Sequence, residues 1–216
     1  MRQARPEEGA AKRIGRPRGR RRRAAEIADA AAQVFARRGY HGASTQEIAD
    51  LLGMRQASLY YYFPSKEAAL EEVCRIGVEG FVESALAIAA GGGGPAEKLT
   101  ALMTAHTRPV ETRADYVRVF LNERRHLPVD SRRRIGRKSR RLERIFEAVL
   151  KEGVDAGIFR SDTEPRLCTL AILGMLNGVP AWYGREKRAD VDGIVAAFAR
   201  LTLDGLLAAP RERGAG

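Results

Sequence analysis

The block from Ser44 to Pro64 constrains the fold of this 216-residue chain more than any other part of its sequence. Ser44 and Glu47 are spaced as a capping box, in which a hydroxyl caps a helix and a glutamate reaches back to the cap. Gly53 ends the short helix that begins there. A second short helix follows to about Tyr62, because Pro64 disfavours helical geometry at the residue before it. Two short helices joined by a glycine turn are typical of a helix-turn-helix.

The second helix of this pair has an apolar side and a side suited to nucleic acid. Leu59 and Phe63 supply the buried side. Arginine and glutamine pair with the edges of guanine and adenine, whereas hydroxyl groups and lysine suit phosphate oxygens. The residues predicted to contact DNA are therefore Thr45, Arg55, Gln56, Ser58, Tyr60, Tyr61, Tyr62 and Lys66.

Helical periodicity continues through the rest of the chain, and no alternating β-branched run of useful length interrupts it. The predicted class is all-α with about nine helices, the first of which runs from about Arg23 to Gly39. The predicted organisation is a disordered arginine-rich arm (1–22), a three-helix helix-turn-helix domain (23–68), a larger helical domain (69–209) and a tail (210–216).

Positive charge is concentrated in two segments of a chain whose net charge is +11. Residues 1–23 hold ten Lys/Arg against two Glu, and residues 131–144 hold eight against one. Such charge favours a polyanionic partner. In the first segment Arg16-Pro17-Arg18 looks like an AT-hook core, which predicts that Arg16 and Arg18 enter an A·T minor groove. Unspecific attraction to phosphates is the alternative.

Residues 23–70 resemble the TetR family of bacterial repressors, most specifically in residues 45–49, Gly53 and residues 58–67. The resemblance implies a homodimer whose recognition helices address successive major grooves of a near-palindromic DNA operator. It also implies that the larger domain binds a small-molecule effector, which releases the DNA. Arg55 departs from the family pattern, because members often carry serine or threonine there; it is expected to read a base or a phosphate instead of capping the helix.

A second resemblance concerns the larger domain. Residues 120–127, residues 174–177 and the pair Trp182-Tyr183 are similar to TetR members that control fatty-acid or sterol catabolism, several of which respond to acyl-CoA thioesters. The resemblance implies an acyl-CoA or other lipophilic effector, with Arg118, Asn122, Trp182 and Tyr183 near its pocket. Core or dimer packing is the alternative for Trp182, and a satisfied polar pair is the alternative for Arg118 and Asn122. Residues 131–144 are either a solvated helix face or a phosphate site for a CoA-type ligand.

Residues 167–183 are apolar nearly all round, which in a soluble helix indicates burial on both sides. With the apolar positions of the last helix behind them, they predict an isologous four-helix dimer interface. A monomer with a hydrophobic central helix is the alternative.

Catalytic and metal-binding motifs are not found in the sequence. The three histidines are far apart, and no Cys-x-x-Cys, Gly-x-Ser-x-Gly or phosphate loop is present. We therefore expect no enzyme activity, metal, cofactor or membrane segment, and a cytoplasmic location. The leading interpretation is a ligand-responsive transcriptional repressor. A non-specific architectural DNA-binding protein and a scaffold for acidic protein partners are the alternatives.

Overall fold

The computed structural model describes residues 17–186 and 189–207 of the chain. These residues form helices joined by short turns, and the β-structure among them is a single bridge between Phe159 and Leu207. The helices are α1 (Pro17–Gly42), α2 (Thr45–Leu51), α3 (Gln56–Tyr60), α4 (Lys66–Ala90), α5 (Pro95–Thr107), α6 (Pro109–Thr112), α7 (Ala114–Glu123), the 3₁₀ turn η1 (Arg124–His126), α8 (Val129–Asp155), α9 (Pro165–Trp182) and α10 (Val191–Leu206). The predicted all-α class is confirmed.

Helix α1 begins at Pro17, six residues earlier than the sequence predicts. The assignment of residues 17–22 to a disordered arm is therefore wrong. Proline is favoured in the first helical turn, where its missing N–H is not needed, and arginine is a good helix former. The helix path breaks at Gly39, whose φ of 69° lies in the left-handed region. The remainder of the predicted arm, residues 1–16, and the predicted tail lie outside the described residues.

The local signals between α1 and α4 form as predicted. The Ser44 hydroxyl accepts a hydrogen bond from the Glu47 amide at 3.1 Å, and the Glu47 carboxylate accepts one from the Ser44 amide at 3.2 Å. Gly53 has a φ of 58° in the turn that follows α2. The Ser65 hydroxyl caps α4 by accepting a bond from the Ala68 amide at 3.1 Å. These caps set where α2 and α4 begin.

Helix α4 is shared by two hydrophobic cores. Its first half, from Ala69 to Val78, packs with α1, α2 and α3 in the N-terminal core. Its second half, from Phe81 to Ala85, packs with α5, α8, α9 and α10 in the C-terminal core. Helix α7 joins both cores as well, through Phe120 on one side and Val117 on the other. Helix α8 does so too, through Ile135 and Leu142, so three continuous helices connect the two cores. Of the described helices, none combines the length and the apolar character needed to cross a membrane.

Candidate nucleic-acid interface and effector cavity

Helix α3 presents a polar and aromatic side away from the N-terminal core. Leu59 is fully buried and Phe63 nearly so, as predicted. Arg55, Ser58 and Tyr61 are exposed on the other side. Arg55 stands at the N-cap of α3 and makes no side-chain hydrogen bond to the helix. Its guanidinium is therefore not used to cap the helix.

Thr45 connects two of the predicted DNA-contacting side chains. The Gln56 amide donates to the Thr45 hydroxyl at 2.7 Å, and the Thr45 and Tyr60 hydroxyls lie 3.2 Å apart. Thr45 is 8% exposed. Thr45 thus orients Gln56 and Tyr60 across the turn between α2 and α3. Its burial leaves little of it for the phosphate contact that the sequence predicts.

Lys66 holds the end of α1 in place. Its ammonium donates to the carbonyls of Tyr40 and Ala43 at 2.9 and 3.0 Å, and lies 4.4 Å from the centroid of the Tyr40 ring. These two carbonyls follow the break at Gly39 and precede the cap of α2. Two of the three ammonium protons are therefore committed inside the protein, a role that the sequence does not signal.

A cavity of about 220 Å³ lies between α4, α5, α7, α8 and α9. Its wall is mostly apolar, with Phe81, Phe120, Leu142, Leu173 and Leu176 among the lining residues. The cavity is smaller than most sites that enclose a whole drug-sized ligand. It suits one apolar group, with any larger part of a ligand lying outside.

An open cleft of about 480 Å³ adjoins this cavity. Three residues line both: Arg124, Ser139 and Glu143. The other charged residues that line the cleft are arginines, namely Arg125, Arg132, Arg133 and Arg140. Glu143, the acidic residue in its wall, is paired with Arg166 at 2.7 Å. An apolar space thus continues into a strongly cationic surface.

Two family descriptions match the chain. Residues 27–73 match "Bacterial regulatory proteins, tetR family", and residues 92–206 match "Tetracyclin repressor-like, C-terminal domain". The second match covers more than half of the chain by itself. The chain belongs to the TetR family. The resemblance carried by the helix-turn-helix block is thereby confirmed.

Similar TetR-family proteins cover nearly the whole chain. The transcriptional repressor KstR2 of Rhodococcus jostii (strain RHA1) is 28% identical over 189 residues, which are 87% of this chain and 93% of that protein. The regulator PfmR of Thermus thermophilus superposes with a TM-score of 0.78 at 30% identity, covering 84% of this chain and 99% of PfmR. AibR, solved in complex with isovaleryl coenzyme A and operator DNA, has a TM-score of 0.77 at 26% identity, over 83% of this chain and 97% of AibR. This TetR-family chain is a DNA-binding transcriptional regulator, and such regulators are not enzymes.

The four residues predicted to lie near the effector of this TetR-family protein do not line the cavity. Arg118 and Asn122 are exposed on α7, whereas Val117, Phe120, Leu121 and Arg124 face the cavity. The prediction chose the wrong face of the helix. The apolar spacing of Val117, Phe120 and Leu121 is the signal in the sequence that identifies the face lining the cavity.

Trp182 and Tyr183 pack against a small separate cluster formed by Val110, Val179 and Ile194. This placement agrees with the alternative of core packing for Trp182. The cavity instead uses Gly174, Leu176 and Asn177, three residues of the neighbouring motif that carried the same resemblance.

The cavity also contains a histidine that sequence reasoning did not select. His106 Nε2 lies 3.0 Å from Asn177 Oδ1, and the ring stacks on Phe81 with centroids 4.8 Å apart. Burial lowers the pKa of His106, an effect that the Asn177 hydrogen bond partly offsets. The imidazole is therefore neutral near pH 7, and the pair forms a polar patch in an apolar wall.

The N-terminal DNA-binding helices meet the cavity helices at Tyr40. The Tyr40 amide donates to the Glu123 carboxylate of α7 at 2.9 Å, and its ring stacks on His126 of η1 with centroids 5.2 Å apart. The Tyr40 hydroxyl donates to Glu67 of α4. Burial, followed by this bond, raises the pKa of Tyr40 to about 12. Since Arg124 adjoins Glu123 and lines the cavity, this junction connects the two candidate sites.

The remaining predicted contacts have mixed placements. Tyr62 is half-buried and packs on the N-terminal core, with its ring 5.2 Å from that of Tyr61. Arg16 lies outside the described residues, and so does the side chain of Arg18. In the described part of the chain, no group of three or more His, Cys, Asp or Glu side chains is arranged to hold a metal ion.

Proposed function

We propose that this protein is a homodimeric repressor that leaves a near-palindromic operator when it binds an acyl-CoA thioester. The observation that carries the proposal is the shared wall of the cavity and the cleft. Arg124, Ser139 and Glu143 line both spaces, so an acyl group in the first and phosphates in the second belong to one ligand. A free lipophilic effector would use only the first space.

The cleft has the chemistry that the phosphates of coenzyme A require. Arginine binds phosphate through a rigid fork of N–H donors, and several arginines together neutralise a ligand with several negative charges. The Arg166 contact to Glu143 reduces the repulsion that this carboxylate would exert on an anion. The AibR complex, which contains isovaleryl coenzyme A, supports a thioester as the ligand class for this chain.

The exposed sides of α9 and α10 support a dimer. Leu167, Leu170 and Leu201 are 64%, 46% and 66% exposed, which is unusual for large aliphatic side chains. Gly174 and Gly205 lie on the same helices with open space where a Cβ would be. An apolar surface of this kind is typical of an isologous helix–helix interface. The partner would place a second α3 about one DNA turn, roughly 34–36 Å, from the first.

The junction at Tyr40 gives effector binding a route to the DNA surface. A ligand that pulls on Arg124 moves the adjacent Glu123, and with it the end of α1. Lys66 and the cap at Ser44 follow, because both lie against the segment that begins at Tyr40. The ligand must bind the DNA-incompatible conformation more tightly, since equal affinity for both would shift nothing.

The first experiment is selection of bound duplexes from random DNA, followed by release with a matched ligand series. The series is isovaleryl-CoA, isovalerate and CoA alone, followed by CoA thioesters of longer and ring-containing acids. We expect recovery of a near-palindrome and its release by at least one thioester at a concentration where its free acid and CoA have no effect.

Each arm of this experiment has a result that contradicts one part of the proposal. Recovery of duplexes without a common sequence would favour the architectural alternative. Release by the free acids as strong as by the thioesters would show that the cleft does not bind the effector. Release by no ligand of the series would reject an acyl-CoA effector.

A further inference from the structure

The first turns of α1 lie against the recognition helix. The Arg20 guanidinium carbon is 5.1 Å from the centroid of the Tyr61 ring, at the end of α3. One turn later, Arg23 Nη2 is 3.8 Å from the sulfur of Met54, in the turn that precedes α3. Arg20 and Tyr61 are both exposed. The start of α1 and the end of α3 therefore present one continuous surface.

The arginines at the start of α1 are not equivalent. Glu26 pairs with Arg23 at 2.8 Å and with Arg22 at 3.3 Å. The hydrogen bond from Arg23 lowers the pKa of Glu26, so this carboxylate is charged at neutral pH. Among the described residues, no carboxylate lies within ion-pair distance of Arg20. Arg20 thus retains its donors for an external anion, whereas Arg22 shares a carboxylate.

The cation–π contact with Tyr61 is compatible with anion binding by the N–H donors of Arg20. A guanidinium that stacks on a ring uses its face, while its five N–H donors point outward in the plane of the group. Phosphate binds in that plane, often through two parallel hydrogen bonds. The ring fixes the orientation of the fork and so reduces the conformational entropy lost on binding. Tyr61 is 67% exposed, so the pair is accessible to a phosphate.

We propose that Arg20 and Tyr61 bind one phosphate of the DNA backbone together, so that the beginning of α1 is part of the DNA-binding surface. Arg20 makes the contact, and the Tyr61 ring positions it. The inference rests on DNA binding by this family and is independent of the effector. We call the pair of Arg20 and Tyr61 the phosphate clamp; its arginine lies in helix α1, in the segment that the sequence assigned to a disordered arm.

The test is a mutant cycle on two duplexes of equal length: one selected from random DNA by the wild-type protein, and one scrambled. R20Q should weaken binding to both by about tenfold, because a phosphate contact carries no sequence information. The salt dependence, as the slope of log K against log salt concentration, should fall by about one. Y61A should cost nearly as much as R20Q, and Y61F much less, since Y61F keeps the ring. The double variant R20Q/Y61A should lose less than about twofold beyond R20Q.

R22Q is the matched control, because it removes the same charge from the same turn of α1 at a position paired with Glu26. We expect less than about threefold loss for R22Q. Equal losses for R20Q and R22Q, or additive losses for R20Q and Y61A, would overturn the clamp. Thermal unfolding of each variant verifies that it is folded. If selection yields no common sequence, the proposed repressor fails, while the scrambled duplex still decides on the clamp.

Discussion

Two arginine-rich segments of this protein, the start of α1 and the first half of α8, have similar charge and different surroundings. Arg20 lies over Tyr61 beside the recognition helix, and Glu26 pairs with its neighbours Arg22 and Arg23. On α8, Arg134 and Lys138 pair with Glu71 and Glu79 of α4 at 2.6 and 2.7 Å. Other arginines of α8 line a cleft that continues into an apolar cavity.

The difference shows that the arginines of a segment favour anionic partners in general. The surface next to the segment then decides which anion binds there. Electrostatic attraction between arginine and phosphate is long-range and acts at both segments. Next to α1, a helix suited to the major groove makes DNA the favoured partner. Next to α8, an apolar cavity favours a phosphorylated ligand with an acyl group. The comparison therefore predicts that substitutions on the DNA-binding surface lower only DNA affinity, and that substitutions in the cleft of α8 lower only thioester affinity.

The largest expected effect is on the DNA side. Replacing Arg55 and Gln56 by alanine should reduce affinity for the selected duplex by about 100-fold, since each bidentate base contact contributes about 1–3 kcal/mol. Thioester affinity should stay unchanged, because Arg55 and Gln56 line neither the cavity nor the cleft. Fluorescence anisotropy measures the first quantity and calorimetry the second. A parallel loss of thioester affinity would show that the two sites are not separable.

The reciprocal change is on α8. R132Q/R140Q removes two arginines of the cleft and should lower thioester affinity by about tenfold or more, with no effect on DNA affinity in the absence of ligand. R137Q/R141Q is the control, because these exposed arginines are on the same helix and do not line the cleft. Equal effects of the two pairs in calorimetry would indicate unspecific attraction.

The next effect concerns the junction between the regions. E123Q keeps the size of the side chain but weakens the charged acceptor of the Tyr40 amide. We expect DNA affinity and thioester affinity measured separately to change little. The factor by which the thioester weakens DNA binding should fall by about threefold to tenfold, because coupling energies of this kind are about 1–3 kcal/mol. The ratio of DNA dissociation constants with and without saturating thioester measures it; an unchanged ratio would rule out Glu123 as a coupling residue.

The smallest expected effect is a difference in the pH dependence of stability between the cavity, at His106, and the Tyr40 junction, at Glu67. Because burial lowers the pKa of His106, the unfolded chain binds the proton more tightly. The stability contributed at this site is full above about pH 6.5, the usual pKa of histidine, and is lost as the pH falls further. The Tyr40 hydrogen bond lowers the pKa of Glu67, so the contribution of that junction is lost only below about pH 4.5.

Urea unfolding midpoints between pH 7.5 and 5 measure this prediction. The H106Q variant should show a weaker decrease over this range than the wild type. An equal decrease in both proteins would assign the pH dependence to other groups.

The accuracy of the sequence predictions follows the range of the interactions involved. The capping box at Ser44, the turn at Gly53 and the stop before Pro64 depend on neighbouring residues, and the first two form as predicted. The start of α1 was predicted too late because the glycines and prolines of residues 1–22 were given more weight than the helix propensity of residues 17–22. The cavity face of α7 was misjudged because Arg118 and Asn122 were chosen for their polarity, whereas the cavity wall is apolar.

The sequence by itself determined the family, the all-α class and the recognition helix, since these depend on caps, turns and periodicity within short stretches of chain. Only the tertiary structure decided which role each polar or charged side chain has. Lys66 holds the end of α1, Thr45 orients Gln56, and Arg124 adjoins both an apolar cavity and a cationic cleft. The physical reason is that the contacts of a polar or charged side chain depend on the groups around it, and these groups come from helices distant in the chain.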